Sequence, residues 1–81
     1  MGERFVAECF WPDVSERDVE ELDERIRGSV EEGEEARYLG SLLIRADEVV
    51  LCHFEGTPAA VRALARRASV PFERLLETTR W

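Results

Sequence analysis

Apolar and polar side chains alternate over Arg4–Phe10, recur at three- and four-residue steps between Val19 and Val30, and alternate again over Arg37–Arg45 and Glu48–Glu55. A period of two is the mark of a strand with two unlike faces, and a period near 3.6 that of an amphipathic helix. In the first strand Phe5, Ala7 and Cys9 fall on one side. Val6, Glu8 and Phe10 fall on the other, with Glu8 as a lone carboxylate in mid-strand. The Trp11-Pro12-Asp13 breaker ends that strand.

Ser15, with Asp18 three residues later, forms a shortened capping box, and acidic residues crowd a first turn where the helix dipole favours them. Val19, Leu22, Ile26 and Val30 make the apolar stripe. Gly28 and Ser29 weaken this helix without ending it, and Gly33, inside the Glu31–Glu35 acidic cluster, is the predicted stop. The next two strands read as a hairpin around Ala46-Asp47. On the second of them Val50, Cys52 and Phe54 share one face, and Val49, Leu51, His53 and Glu55 the other.

Thr57 is a good N-cap, with Pro58 at the first helical position. Val61, Leu64, Ala65 and Ala68 then form a second stripe, while Arg62, Arg66 and Arg67 point outward. Pro71 is predicted to end this helix, and Phe72–Thr79 to supply the last strand. The order β-α-β-β-α-β predicts a single α+β domain over residues 1–81. It is ferredoxin-like, with a four-stranded antiparallel sheet and both helices on one face. Val6, Phe10, Val49 and Leu51 would be left on the uncovered face. A homodimer packed sheet against sheet is the simplest cover.

At 81 residues the chain is near the size at which one core barely suffices, which strengthens the case for a dimer. Charge is unevenly placed: residues 1–35 carry 13 acidic and 4 basic side chains, residues 36–81 carry 5 and 7. A net charge of −7 argues against nucleic acid, because phosphate backbones would be repelled. No apolar run approaches a membrane span of about 20 residues. The N-terminus lacks the basic and apolar regions of a signal peptide, so the expected address is cytoplasmic. Cys9 and Cys52 lack any metal-site spacing and read as small buried hydrophobes, with a disulfide open to them if their strands pair.

Tyr38-Leu39 and Ser41, Cys52, Phe54 and Glu55, and Ala65-Arg66-Arg67-Ala68 followed by Pro71 and Arg74, together with Arg4-Phe5 and Val6 through Glu8, give the chain a wider likeness. It resembles a family of small ferredoxin-like proteins of unknown function, some of them described as nickel-binding. The resemblance implies a small soluble ligand- or metal-binding protein, with nickel or another divalent metal as the cofactor. The chain departs from the family pattern where metal would be held. Gly40 and Leu64 stand at positions where histidines are common, Ser69 replaces a glycine, and His53 occupies a position usually apolar. His53 is thus the one candidate metal ligand.

Glu8 and His53 are the candidate catalytic pair, because the first and third strands of such a sheet are antiparallel neighbours and both residues share a face. A carboxylate beside an imidazole can fix its tautomer and serve general acid–base chemistry or metal binding. Glu55 and Tyr38 are accessory candidates for ligand binding. Ser41 offers a hydroxyl, and alternation assigns it the face opposite Tyr38 and Gly40. Three readings stand: a dimeric binding protein for a small molecule or metal, a cyclase- or isomerase-type enzyme by analogy of fold, and a structural or interaction module.

Overall fold

A computed structural model describes residues 2–79. The elements run β1 (Glu3–Phe10), α1 (Glu16–Ser29), β2 (Ala36–Ile44), a 3-10 turn (Arg45–Asp47), β3 (Val49–Gly56), α2 (Pro58–Arg67) and β4 (Arg74–Thr78). The strands form one antiparallel sheet in the order β2-β3-β1-β4. This is the expected ferredoxin-like α+β arrangement. Among the described residues no helix is long and apolar enough to cross a membrane.

Side-chain alternation divides the sheet as the sequence predicts. Phe5, Ala7, Cys9, Val50, Cys52 and Phe54 lie under the helices and are buried, as are Leu22, Ile26, Val61, Leu64, Ala65 and Ala68 on the helices themselves. No polar or charged residue is buried among them. That dry layer is what drives two short helices onto the sheet, at about 25 cal/mol per Å² of apolar surface removed from water.

Both helices begin where their caps predict. Ser15 accepts from the Asp18 amide and the Asp18 carboxylate accepts from the Ser15 amide, completing a capping box. Thr57 accepts from the Ala60 amide, with Pro58 at the start of α2. Their ends correct the sequence reading. α1 stops at Ser29 rather than at Gly33, because Val30 is extended and Gly33, at a φ of 76°, serves a separate turn between Glu31 and Glu34. α2 stops at Arg67, before Pro71, with Ser69 in the left-handed region at a φ of 56°.

A reciprocal exchange fixes both ends. The Arg25 guanidinium of α1 donates to the carbonyls of Ala68 and Ser69 just past α2, at 2.5 and 3.2 Å. The Arg67 guanidinium of α2 donates to the Ser29 carbonyl at 2.8 Å and grips both oxygens of Glu34 at 2.6 and 2.7 Å. Each arginine satisfies carbonyls that a helix end leaves without partners, and puts positive charge at the negative end of a dipole. Arg67 also holds the Glu34 carboxyl below its ordinary range through that hydrogen bond.

One irregularity reshapes the sheet. The β2–β3 register shifts between Tyr38 and Gly40, so Leu39 is a bulge residue with no partner of its own. Gly40 takes a φ of 122°, which side-chain-bearing residues rarely adopt. The extra residue turns Tyr38 and Ser41 onto the same helix-covered face. Strict alternation separates them, and the bulge corrects that reading.

Candidate functional site

The uncovered sheet face is built in cross-strand rows. Ile44, Val49 and Phe10 make one end; next come Leu42, Leu51, Glu8 and Arg74; then Gly40, His53, Val6 and Leu76; and finally Arg37, Glu55, Arg4 and Thr78. Apart from the Glu8–Arg74 pair the first two rows are apolar, with Leu42 at 56% and Phe10 at 53% exposed. The last two rows hold His53, Glu55, Arg4 and Arg37.

Glu8 and His53 do lie on this face, but one row apart. Glu8 stands opposite Leu51, and His53 opposite Val6. The carboxylate of Glu8 is engaged on its other side, where Arg74 of β4 donates from Nε at 2.9 Å and from a terminal nitrogen at 2.8 Å. Sequence reasoning missed this partner because β4 pairs with β1 on the flank away from β3. His53 is left with a buried Nε2 that has no hydrogen-bond partner. Such an orphan costs about 1–3 kcal/mol, so it marks a place where a further polar group would be welcome.

Glu55 follows His53 on the same strand face and is flanked by two arginines. Arg4 approaches through Nε at 3.5 Å and Arg37 through a terminal nitrogen at 3.2 Å. Neither contact is a close two-pronged fork, and two guanidiniums share one carboxylate. A recess of about 160 Å³ opens at this end, walled by Arg4, Phe5, Leu39, His53, Phe54 and Thr78. The bulge at Leu39 helps to form it. Gly40, opposite His53, leaves open space where a side chain would stand.

Tyr38 is not part of this group. Its ring packs 5.5 Å from that of Phe54 on the helix side, beneath the Arg27 guanidinium at 5.0 Å, and its hydroxyl shares a 2.5 Å hydrogen bond with Ser41. Burial pushes its phenol up, away from acid–base work near neutrality. The two cysteines are also on the helix side, free and buried, and offset by one row: Cys9 faces Val50 and Cys52 faces Ala7. The neighbouring Cys52 thiol and burial together hold Cys9 protonated.

Among the described residues no three His, Cys, Asp or Glu side chains converge to hold a metal ion. His53 has Gly40 across from it, with no side chain to offer, and Leu64 is deep in the core. The donor set of one chain therefore does not fit nickel or zinc, which take three or four converging ligands.

No family model matches the chain, and no curated protein matches it. Among solved structures it is similar to SCO4226 from Streptomyces coelicolor A3(2), known from a crystal structure. The TM-score is 0.78 and the identity 17%, over 96% of this chain and 98% of that one. At that identity the likeness shows the fold alone.

Proposed function

We propose that this chain is a small ligand-binding module that works as a homodimer, closed through the uncovered faces of two sheets, with the ligand held at the His53 end. The observation that carries this reading is the exposed face itself. Val6, Phe10, Leu42, Ile44, Val49, Leu51 and Leu76 form an apolar field, crossed by the Glu8–Arg74 pair, on strands that already have a helix-side core. Four strands about 4.8 Å apart and roughly eight residues long give a footprint on the order of 500 Å² before side-chain relief. A standard interface takes about 800 Å² of accessible surface from each partner, so the face is of suitable size.

Charge supports a second copy as the occupant. The chain as a whole carries −7. Its uncovered face carries Arg4, Arg37 and Arg74 against Glu8 and Glu55, and both of those carboxylates are paired. The remaining acid is concentrated on α1 and the Glu31–Glu35 loop. Two strongly acidic copies could approach through this one nearly balanced face with little repulsion. Ligand binding rests on the polar end, where His53 keeps an unpaired nitrogen beside a recess.

This reading agrees with the family resemblance in its coarser part, a small binding protein, and places no weight on nickel. Native mass spectrometry of freshly purified protein is the test, because it reads oligomeric state and retained ligand together. The mass of two chains, with or without a small bound molecule, is expected at micromolar concentration. A single-chain mass there would overturn the dimer.

A further inference from the structure

We infer that the recess between Arg4 and His53 takes a small organic carboxylate. The inference deepens the ligand-binding reading above and rests on it. Three features of the wall select this class. Arg4 and Arg37 bring two guanidiniums to one carboxylate, Glu55, and the Arg4 contact is a single long approach of 3.5 Å through Nε. A guanidinium has five N–H donors in a planar fork that matches a carboxylate, so this end of the face has donors to spare. Leu39, the exposed bulge residue, gives the recess its apolar side chain, and Phe5 and Phe54 border it from strands whose rings are buried on the helix side. Thr78 and His53 add a hydroxyl and an imidazole on the same rim.

The orphaned nitrogen is the third feature. Nε2 of His53 is enclosed and unpaired in its present rotamer. Turning the ring outward into the recess would carry that nitrogen to an oxygen of a bound carboxylate and remove the cost of leaving it without a partner. Gly40, directly across on β2, leaves room above the ring for that turn. Size narrows the class further. A volume of about 160 Å³ is well below the roughly 300 Å³ where drug-sized pockets begin, so the occupant is compact.

The acidic character of the chain does not oppose this. The six carboxylates of α1 belong to the helix layer, on the other side of the sheet. Beyond a Debye length of about 8 Å their repulsion is largely screened at physiological salt. At the recess the lining charge is Arg4, and the nearby Glu55 carboxylate is shared between Arg4 and Arg37.

The test is an NMR titration with three probes of one shape: benzoate, its neutral isostere benzamide, and the cation benzylammonium. Benzoate is expected to shift the signals of Arg4, Leu39, His53 and Thr78 saturably, with benzamide at least tenfold weaker and benzylammonium without effect. Arg4→Gln should weaken benzoate at least tenfold, whereas Arg62→Gln, on the exposed side of α2, should leave it unchanged. Equal affinity for benzoate and benzamide in the unmodified protein would overturn the inference, whatever the variants do. So would the absence of saturable shifts with all three probes. A two-chain mass alongside either result leaves the dimer standing. Selective benzoate binding by a single-chain species would instead overturn the dimer and keep the carboxylate site.

Discussion

The two faces of this sheet are made by the same strands from alternate residues, and they have opposite characters. Under the helices Phe54, Cys52 and Val50 are completely buried, and no polar residue is buried with them. On the other face their neighbours Leu51, His53 and Glu55 are only partly covered, beside Leu42 at 56% exposure. The helix face fulfils a stability requirement within one chain. The open face has similar apolar content but mixes it with two ion-paired rows and an unpaired imidazole nitrogen. A surface that is apolar and also chemically equipped is suited to binding, and this difference is what the proposed binding face rests on.

The sharpest way to break the contrast is to truncate a large residue on each face. Phe54→Ala should cost about 3–5 kcal/mol, because a buried aromatic leaves a cavity that rigid neighbours fill only in part. Much of the stability of so small a domain would go with it. Urea unfolding checks this, and a loss below about 1 kcal/mol would mean that the helix-side core is not packed as described. Leu42→Asp on the open face should leave the far-UV circular dichroism of the fold intact and shift the mass towards a single chain. Each large apolar side chain lost from the interface is worth about 1.5–3 kcal/mol, or roughly ten- to a hundredfold in dimer affinity. Light scattering over a concentration series reads it; a mass that does not respond would remove this face from the interface.

A smaller effect separates the helix layer's own polar clamp from the sheet. Arg67 holds Glu34 below its ordinary range, so the folded state binds that proton less readily than the unfolded state. The sign follows from linkage: the stabilisation is full above the unfolded carboxyl value of about 4.3 and fades as pH falls through the lower folded value. Arg67→Gln should therefore lower the melting temperature by a few degrees near neutral pH, with the gap to the unmodified protein closing in acid. A gap that is the same at pH 7 and pH 3 would show that the clamp is not electrostatic. The smallest response is expected from metal. Nickel or zinc should leave the melting temperature where it is and bind more weakly than micromolar by isothermal titration, because His53 has no converging partners among the described residues. Submicromolar affinity lost in His53→Ala would show that ligands from two copies complete a site.

Much of the fold was legible because its causes are local. The alternation of Phe5, Ala7 and Cys9 against Val6, Glu8 and Phe10, the Ser15–Asp18 box and the Thr57-Pro58 start act within a turn or along one strand, where the responsible residues are neighbours. Helix ends were read less well. Gly33 and Pro71 were plausible stops, but Arg25 and Arg67 are the residues that cap the helices, reaching across from the opposite helix. Such long-range capping leaves no local signature.

The sequence by itself determined the order of the elements, which residues of β1 and β3 lie beneath the helices, and that Glu8, His53 and Glu55 share the uncovered face, since these follow from side-chain periodicity. Only the tertiary structure decided who stands beside whom. A one-residue bulge at Leu39 reversed the face of Ser41 relative to Tyr38, since a strand's period is two and one extra residue flips every side chain beyond it. The register set Glu8 a row away from His53 and gave it to Arg74, 66 residues along the chain, leaving the imidazole nitrogen without a partner. Pairing of that kind depends on how whole strands align. Alignment is chosen by the summed packing of the sheet and its helices, which no single stretch of sequence contains.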